Sequence, residues 1–255
     1  MARSLTVLIA GGSGMIGSAL TNVLVGDGHH VHTLTRSLEA AENDQTMHLW
    51  RPGVAMLDLD ALAGAIGSPI DAVVNLAGYS ISKMPWTASR KKQIMSSRLA
   101  ATATLTDALT RAAHKPTVLV NGSAVGFYGN RGDEELTEQS PAGGGFLADV
   151  VQAWEKAALG APQDVRVVLA RTGLVLGRGG ALAPLKLLTS FGVAGPLAGG
   201  TAWWPWISLR DEARALAAEA AALAGDLDDA AALFTSCVRV AGAAGAVRLR
   251  DDALD

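Results

Sequence analysis

Residues 6–17 read TVLIAGGSGMIG, and this stretch sets the architecture expected for the whole chain. Its apolar first half has the length of a β-strand and stops at glycine, and an amphipathic stretch, Met15 to Leu24, follows. A strand, a glycine-rich turn and a helix are the setting in which glycines indicate dinucleotide binding, because backbone can approach a diphosphate there and the helix N-terminus attracts its charge. Two spacings stay open. Gly12, Gly14 and Gly17 match G-x-G-x-x-G, and Gly11, Gly14 and Gly17 match G-x-x-G-x-x-G.

A second strand-like run, residues 30–35 (HVHTLT), ends at Arg36. A dinucleotide-binding fold places the residue that contacts the adenosine ribose near this point. An acid would bond the 2′-hydroxyl of NAD, whereas a guanidinium suits the 2′-phosphate of NADP by charge and geometry. No acidic residue follows until Glu39. The sequence therefore favours NADP (NADPH) over NAD, and the alternative is an ordinary surface arginine.

Strand-like and helix-like segments alternate along the rest of the chain. This alternation, with nearly continuous apolar runs such as DAVVNL, predicts an α/β fold with a doubly wound parallel sheet, which we expect in a single domain over residues 1–255. Further strands are expected at 71–76, 117–121 and 165–172, helices at 57–66, 86–113, 146–159 and 212–232, a polar connection at 37–45, a loop-rich segment at 122–145 and a last strand at 238–241.

Composition limits the classes of partner. A net charge of −3 over 255 residues gives no electrostatic reason to expect nucleic acid or an anionic membrane. The single cysteine, Cys237, cannot form an internal disulfide, and no signal-peptide pattern or long apolar run occurs, so we expect a cytoplasmic protein. The histidines lack the spacing and acidic neighbours of a metal site, and we expect none at His29, His30, His32, His48 and His114.

Eight segments together resemble an atypical short-chain dehydrogenase/reductase of the NAD-dependent epimerase/dehydratase-like subgroup. They occur in the family's order over roughly residues 5–212: AGGSGMIG, LTR, VVNLAG, WTASRKKQIMSSR, GSAVGFYG, FLADVVQAWE, RTGLVLGRGGAL and WPWISLRD. The resemblance implies a Rossmann sheet, NADP as the usual cofactor, and a small carbonyl compound or nucleotide-sugar-like molecule as the generic substrate of relatives.

The resemblance also implies which residues hold the cofactor. The glycine-rich turn and the start of its helix would hold the diphosphate. The end of the second strand would hold the phosphate-bearing ribose, and residues 76–78 would line the site of the adenosine and diphosphate. Two residues of the long helix would face the cofactor, and one later residue would lie beside the nicotinamide. The full set is Gly11, Ser13, Gly14, Met15, Ile16, Gly17, Thr35, Arg36, Leu76, Ala77, Gly78, Gln93, Arg98 and Val175.

The catalytic residues depart from the family pattern. Ser123 stands where the family's serine holds the substrate oxygen, but the tyrosine and lysine of the Tyr-x-x-x-Lys pair fall on Leu147 and Val151, which cannot move a proton. Tyr128 is a candidate substitute acid, or else a packing tyrosine. Two main hypotheses follow. One is an NADP-dependent oxidoreductase or epimerase-like enzyme acting on an unidentified small molecule, in which Ser123 would donate to and polarise a carbonyl and Tyr128 or a water would handle the proton. The other is a catalytically silent NADP(H)-binding sensor or scaffold. A nucleotide-sugar binder without redox chemistry is a third.

Residues 177–255 are expected to form a reduced substrate-side region. Relatives continue beyond WISLRD with a strand and a small helical lobe, whereas this chain continues into an Ala-rich stretch. The substrate side would then be open, a partner subunit would complete it, as in a homodimer, or the site would be degenerate. A cluster of tryptophans could wall a substrate pocket or close the edge of the core: Trp203, Trp204 and Trp206.

Overall fold

The computed structural model describes residues 3–82, 85–177, 187–191, 203–222 and 247–248. Strands and helices alternate through most of this chain. The strands are β1 (Thr6–Ala10), β2 (His30–Thr35), β3 (Met47–Leu49), β4 (Ala72–Asn75), β5 (Val118–Ala124), β6 (Arg166–Thr172), β7 (Leu174–Leu176), β8 (Trp203–Trp204), β9 (Trp206–Ser208) and β10 (Val247–Arg248). The helices are α1 (Met15–Gly26), α2 (Leu38–Asn43), α3 (Leu59–Ile66), α4 (Ala88–Arg111), α5 (Phe146–Ala158) and α6 (Leu209–Ala221).

Six of the described strands form one parallel sheet in the order β3-β2-β1-β4-β5-β6. The chain moves outward from β1 to β3 and then returns to the other side of β1. Ala10, the last residue of β1, lies opposite Leu34 of β2 and Asn75 of β4. Strand order therefore reverses between β1 and β4, and ligands of open α/β sheets bind beside the carboxyl ends of strands at such a point.

The sheet is covered by helices on both faces. On one face, α1 and α6 pack against alternate strand residues such as Val7, Ile9 and Val74. On the other, α3 and α4 pack against Leu8, Val73 and their neighbours, and α5 lies beside α4. The innermost strands are buried on both faces, which explains their nearly continuous apolar runs. The predicted doubly wound α/β sheet is confirmed.

Three segments differ from the sequence prediction. The expected connection at 37–45 contains α2, whose N-terminus is capped by the Ser37 hydroxyl accepting a hydrogen bond from the Ala40 N–H. Strand β5 continues to Ala124 because β6 pairs with it that far, and a 3₁₀ turn, Val125–Tyr128, follows. Helix α6 begins at Leu209, whereas residues 223–232 and the predicted strand at 238–241 lie outside the described residues.

Two small ladders lie apart from the main sheet. β7 pairs in parallel with β9, and β8 pairs antiparallel with β10. Within the described ranges, none of the helices has both the length and the apolar character required to cross a bilayer.

A histidine pair joins the two strands at one edge of the sheet. The Nδ1 atom of His32 lies 2.8 Å from Nε2 of His48, and the rings stack with centroids 5.1 Å apart. Burial, together with the charges of His48 and His30, holds the pKa of His32 below its ordinary 6.5, and burial lowers the pKa of His48. The folded pair therefore resists protonation.

We expect this pair to make the fold less stable as the pH falls below 6.5. The unfolded chain, with ordinary histidine pKa values, then binds more protons than the folded chain, and acidification favours the state that binds them. Urea unfolding at pH 8 and pH 5.5 measures the effect. The double variant H32Q/H48Q should show a smaller decline between those pH values, and an equal decline in variant and wild type would contradict the explanation.

Candidate functional site

The glycine-rich turn after β1 is shaped by close backbone contacts. Gly11 has φ +89°, and a Cβ there would lie 2.7 Å from the Leu76 carbonyl carbon and oxygen. A Cβ on Gly17 would overlap the Gly11 carbonyl oxygen and lie 2.7 Å from the Gly12 Cα. Gly14 is exposed, and its Cβ would meet only the Gly11 oxygen, at 3.2 Å. Gly11 and Gly17 are therefore required by the fold, whereas Gly14 leaves open space at the turn.

The N-terminus of α1 presents unpaired backbone donors. The Gly14 N–H donates to the Gly11 oxygen at 3.0 Å, but among the described residues the N–H groups of Met15, Ile16 and Gly17 have no acceptor. No side chain of the described segments caps this helix, and its first turn holds no acidic residue. Free N–H groups and the positive end of the helix dipole suit an anion. A diphosphate fits this end of α1, in the space that Gly14 leaves open.

We expect Gly17→Ala to lower the free energy of unfolding by about 1–3 kcal/mol, because the new methyl group forces the start of α1 away from the turn. Gly14→Ala is the matched control. Gly14 has φ −76° and ψ 167°, which any residue adopts, so its replacement should change stability by less than about 0.5 kcal/mol. Urea unfolding of both variants measures the difference. Equal stability of the two would show that the close approach at Gly17 is not needed.

Arg36 lies at the carboxyl end of β2, the strand next to β1. It follows the last residue of β2 and is exposed, and it makes no ion pair or hydrogen bond within the described part of the chain. Thr35, the other residue predicted here, accepts a hydrogen bond at Oγ1 from the Ser37 N–H at 3.1 Å. The structure thus places an arginine with no partner among the described residues at the carboxyl edge of the sheet, one strand away from the glycine-rich turn.

The predicted cofactor-binding residues that follow β4, together with Arg98 of α4, lie at the same carboxyl edge of the sheet as the glycine-rich turn. Ala77 packs against Gly11, and a Cβ on Gly78 would lie 3.1 Å from the Arg98 side chain. The Nη1 atom of Arg98 donates to the carbonyl oxygens of Tyr79 and Ile94, both at 3.0 Å. Burial lowers the pKa of Arg98, but a guanidinium stays charged in a protein.

Gln93 is placed differently from Arg98. Five residues along an α-helix correspond to a rotation of about 140°, and Gln93 is exposed whereas Arg98 is half-buried. The guanidinium of Arg98 lies 5.1 Å from the Trp154 ring centre, and the Trp154 Nε1–H donates to Thr102 Oγ1 at 2.9 Å. Arg98 is therefore fixed by these contacts. The contact of Gln93 with a cofactor stays a prediction.

The segment around β7 adjoins the start of α1. Val175 is buried and pairs with Ile207 of β9, and a Cβ on Gly177 would lie 3.2 Å from the Met15 sulfur. Val175 thus belongs to the same side of the sheet as the glycine-rich turn. Of the tryptophans, Trp206 is half-buried in β9, whereas Trp203 is 42% exposed and donates from Nε1 to Asp133 at 2.7 Å.

Four side chains from β5, the 3₁₀ turn, α5 and β6 form a hydrogen-bonded network, here called the serine–glutamate network: Ser123, Tyr128, Glu155 and Arg171. The Ser123 hydroxyl donates to Glu155 Oε1 at 2.5 Å. Arg171 donates to both oxygens of Glu155, from Nε at 2.8 Å and from Nη2 at 2.9 Å. Its Nη1 donates to the Tyr128 hydroxyl oxygen at 3.0 Å and to the Glu138 carbonyl oxygen at 2.9 Å.

The network is largely shielded from water. Ser123 is 6% exposed, Glu155 5% and Tyr128 7%. Burial alone would raise the pKa of Glu155, but the hydrogen bonds from Arg171 and Ser123 and the charge of Arg171 outweigh it, and the pKa lies below the ordinary 4.5. Hydrogen bonding to Glu155 raises the pKa of Arg171. Glu155 is therefore ionised at neutral pH.

Sequence reasoning missed Glu155 and Arg171. Both lie inside segments quoted for the family resemblance, and Arg171 is a charged residue near the end of an apolar strand, which is a signal of a partnered polar group. Leu147 and Val151, where the family resemblance places the tyrosine and lysine, lie under the 3₁₀ turn: a Cβ on Gly126 would be 3.6 Å and 3.9 Å from them.

A second buried acid lies on the opposite face of β6. Thr172 donates from Oγ1 to Glu212 of α6 at 2.7 Å, and burial raises the pKa of Glu212 despite this bond.

Among the described residues, no three histidine, cysteine, aspartate or glutamate side chains lie close enough to share a metal ion.

Comparison with known proteins matches residues 7–226 to the model of the NAD dependent epimerase/dehydratase family. An epimerase family protein of Mycobacterium leprae is 41% identical over 216 residues, which cover 84% of this chain and 67% of that protein. The chain therefore spans about two thirds of the length of this relative.

Two solved structures share the fold. The human epimerase family protein SDR39U1, solved with NADPH, superposes with a TM-score of 0.73 at 33% identity, covering 88% of this chain and 71% of that one. A nucleoside-diphosphate sugar epimerase from Corynebacterium glutamicum superposes with a TM-score of 0.71 at 32% identity, covering 99% of this chain and 54% of that one. The match extends over most of the described sheet and its helices. This chain belongs to the NAD dependent epimerase/dehydratase family.

Proposed function

We propose that this protein binds NADPH across the carboxyl edge of its sheet. The observation that carries the proposal is that the Arg36 guanidinium and the first N–H groups of α1, which have no partner within the described part of the chain, lie at the same edge of the sheet as the open Gly14 turn. An anion at the turn and a second phosphate at Arg36 match the diphosphate and 2′-phosphate of NADP. The human relative solved with NADPH supports this choice.

The other predicted contacts complete this proposal. Leu76, Ala77 and Gly78 would border the adenosine and diphosphate, Arg98 would add a fixed positive charge nearby, and Val175 would lie at the nicotinamide end. When bound, the nicotinamide supplies a donor or acceptor of hydride.

We further propose an oxidoreductase or epimerase-like activity on a small molecule. The serine–glutamate network lies at the carboxyl ends of β5 and β6, on the side of the sheet where the cofactor residues gather. Ser123 would contact the reacting oxygen of the substrate, and Tyr128, held by Arg171, is the group able to donate a proton to it.

A substrate screen tests the activity. Small carbonyl compounds, alcohols and nucleotide sugars are mixed with the protein and NADPH or NADP, and cofactor absorbance is followed. We expect turnover that falls at least tenfold in Ser123→Ala, with Ser80→Ala, an exposed serine, as the matched control. Turnover unchanged in Ser123→Ala would remove Ser123 from the reaction.

One observation favours a second candidate, a catalytically silent NADP(H)-binding sensor or scaffold. Leu147 and Val151 pack beneath the 3₁₀ turn where a proton-transferring pair would stand. This candidate predicts NADPH binding without turnover of any compound in the screen. Binding of nucleotide sugars while NADP stays unreacted would instead indicate a nucleotide-sugar binder, in keeping with the name of the Corynebacterium neighbour.

A further inference from the structure

The direction of the hydrogen bond between Ser123 and Glu155 constrains what Ser123 can do. A hydroxyl group has one proton, and the Ser123 proton points to Glu155 Oε1 over 2.5 Å. A contact this short is typical of a hydroxyl that donates to an ionised carboxylate. Among the described residues, no other group hydrogen-bonds to Ser123 Oγ. Its lone pairs are therefore what remains for a ligand.

Arg171 keeps Glu155 in the accepting state. Two guanidinium N–H groups donate to the two carboxylate oxygens, and the ion pair is 2.8 Å long. A carboxylate in this arrangement has no proton to give to Ser123. Ser123 cannot turn its proton toward a ligand without leaving a buried carboxylate oxygen with one hydrogen bond fewer, which is costly.

We propose that Glu155 and Arg171 are positioning residues that fix Ser123 as a hydrogen-bond acceptor, so that the ligand meets Ser123 with a hydroxyl group and not with a carbonyl oxygen. The proposal rests on the proposed function in placing Ser123 at the substrate. It reverses the role that the sequence suggests, in which Ser123 donates to a carbonyl. The ligand class that fits Ser123 is accordingly an alcohol.

Binding of matched probes tests this assignment. With NADPH present, the affinities of alcohols are compared with those of ethers of similar size, beginning with cyclohexanol and tetrahydropyran, by ligand-observed NMR. NADPH reduces neither probe, so only binding is measured. The wild type should bind the alcohols at least tenfold more tightly, and Ser123→Ala should abolish the difference. Ethers that bind as well as alcohols, or a protein that binds neither, would overturn the inference.

Glu155→Met gives the sharper test. It removes the carboxylate that accepts from Ser123 and releases the serine proton for the ligand, so the preference for alcohols should vanish or reverse. Asp149→Met removes a carboxylate at an exposed position of α5 and should keep the wild-type preference. A Glu155→Met variant that folds and retains the full preference would overturn the positioning role.

A direct measurement covers the case in which Glu155→Met does not fold. Neutron diffraction from wild-type crystals locates the Ser123 hydroxyl proton. We expect it on the line to Glu155 Oε1, and a proton directed elsewhere would overturn the inference. An NADPH titration of the wild-type protein in solution separates the proposed function from the inference about Ser123. If NADPH does not bind, the proposed function is contradicted. If NADPH binds but alcohols are not preferred over ethers, only the inference about Ser123 is contradicted.

Discussion

Arg171→Met is expected to lower the free energy of unfolding by about 3–5 kcal/mol at neutral pH, because it leaves the buried carboxylate of Glu155 without its charged partner. In the wild type, Arg171 holds the pKa of Glu155 below 4.5 against the opposing effect of burial. Once Arg171 is gone, burial dominates, and the pKa of an unpaired buried carboxyl rises. Urea unfolding at neutral pH measures the loss.

The same variant has a predicted pH dependence. In the wild type, the stabilisation from the lowered pKa of Glu155 is present above pH 4.5 and is lost as the pH falls through the folded-state pKa. In Arg171→Met, acid protonates Glu155 and removes the unpaired charge. The difference between wild type and variant should therefore shrink below pH 4.5.

Arg166→Met is the matched control for this prediction. Arg166 lies on the same strand, but its ion pair with Glu219 is 3.7 Å long and its side chain is 52% exposed. Exposed pairs contribute about 0–1 kcal/mol, so this variant should stay close to wild type. A loss at Arg171 no larger than the loss at Arg166 would show that the serine–glutamate network is not a stabilising unit.

Arg36→Ala is expected to weaken NADPH binding by roughly tenfold to hundredfold, equivalent to about 1.5–3 kcal/mol for a lost charge-assisted contact. NADH binding should hardly change, because NADH has no 2′-phosphate for the guanidinium to contact. Because Arg36 is exposed, its replacement should leave the fold intact. Calorimetric titration of the variant with both cofactors measures the ratio.

Arg3→Ala controls for the loss of a positive charge. Arg3 pairs with Asp71 at the amino end of β4, away from the carboxyl edge where the cofactor residues lie. It should bind NADPH as the wild type does. Equal weakening of NADPH and NADH in Arg36→Ala would mean that the arginine is structural and does not select the cofactor.

The architecture could be predicted from the sequence because it depends on short-range patterns. The strand, glycine turn and helix at residues 6–26 are contiguous, and the apolar runs of β4 and β5 mark strands covered on both faces. Helix α2 escaped prediction because six residues show too little periodicity, although Ser37 is a typical N-cap residue. Local patterns thus predicted the main sheet and most helices, but not the shortest of the described α-helices.

The serine–glutamate network could not be predicted in the same way. Ser123, Glu155 and Arg171 come from different elements, and only the pairing of β5 with β6 places Ser123 opposite Arg171. The sequence indicated that Ser123 stands at the family's serine position, but the direction of its hydrogen bond depends on a carboxylate 32 residues away. Side-chain roles set by such long-range partners require the folded structure.

Calorimetric titration of the wild-type protein with NADPH and NADH is the most direct test of the proposed cofactor site. Arg36, the open turn at Gly14 and the unpaired N–H groups of α1 predict that NADPH binds at least tenfold more tightly than NADH. Failure to bind either cofactor, or equal affinity for both, would contradict the account.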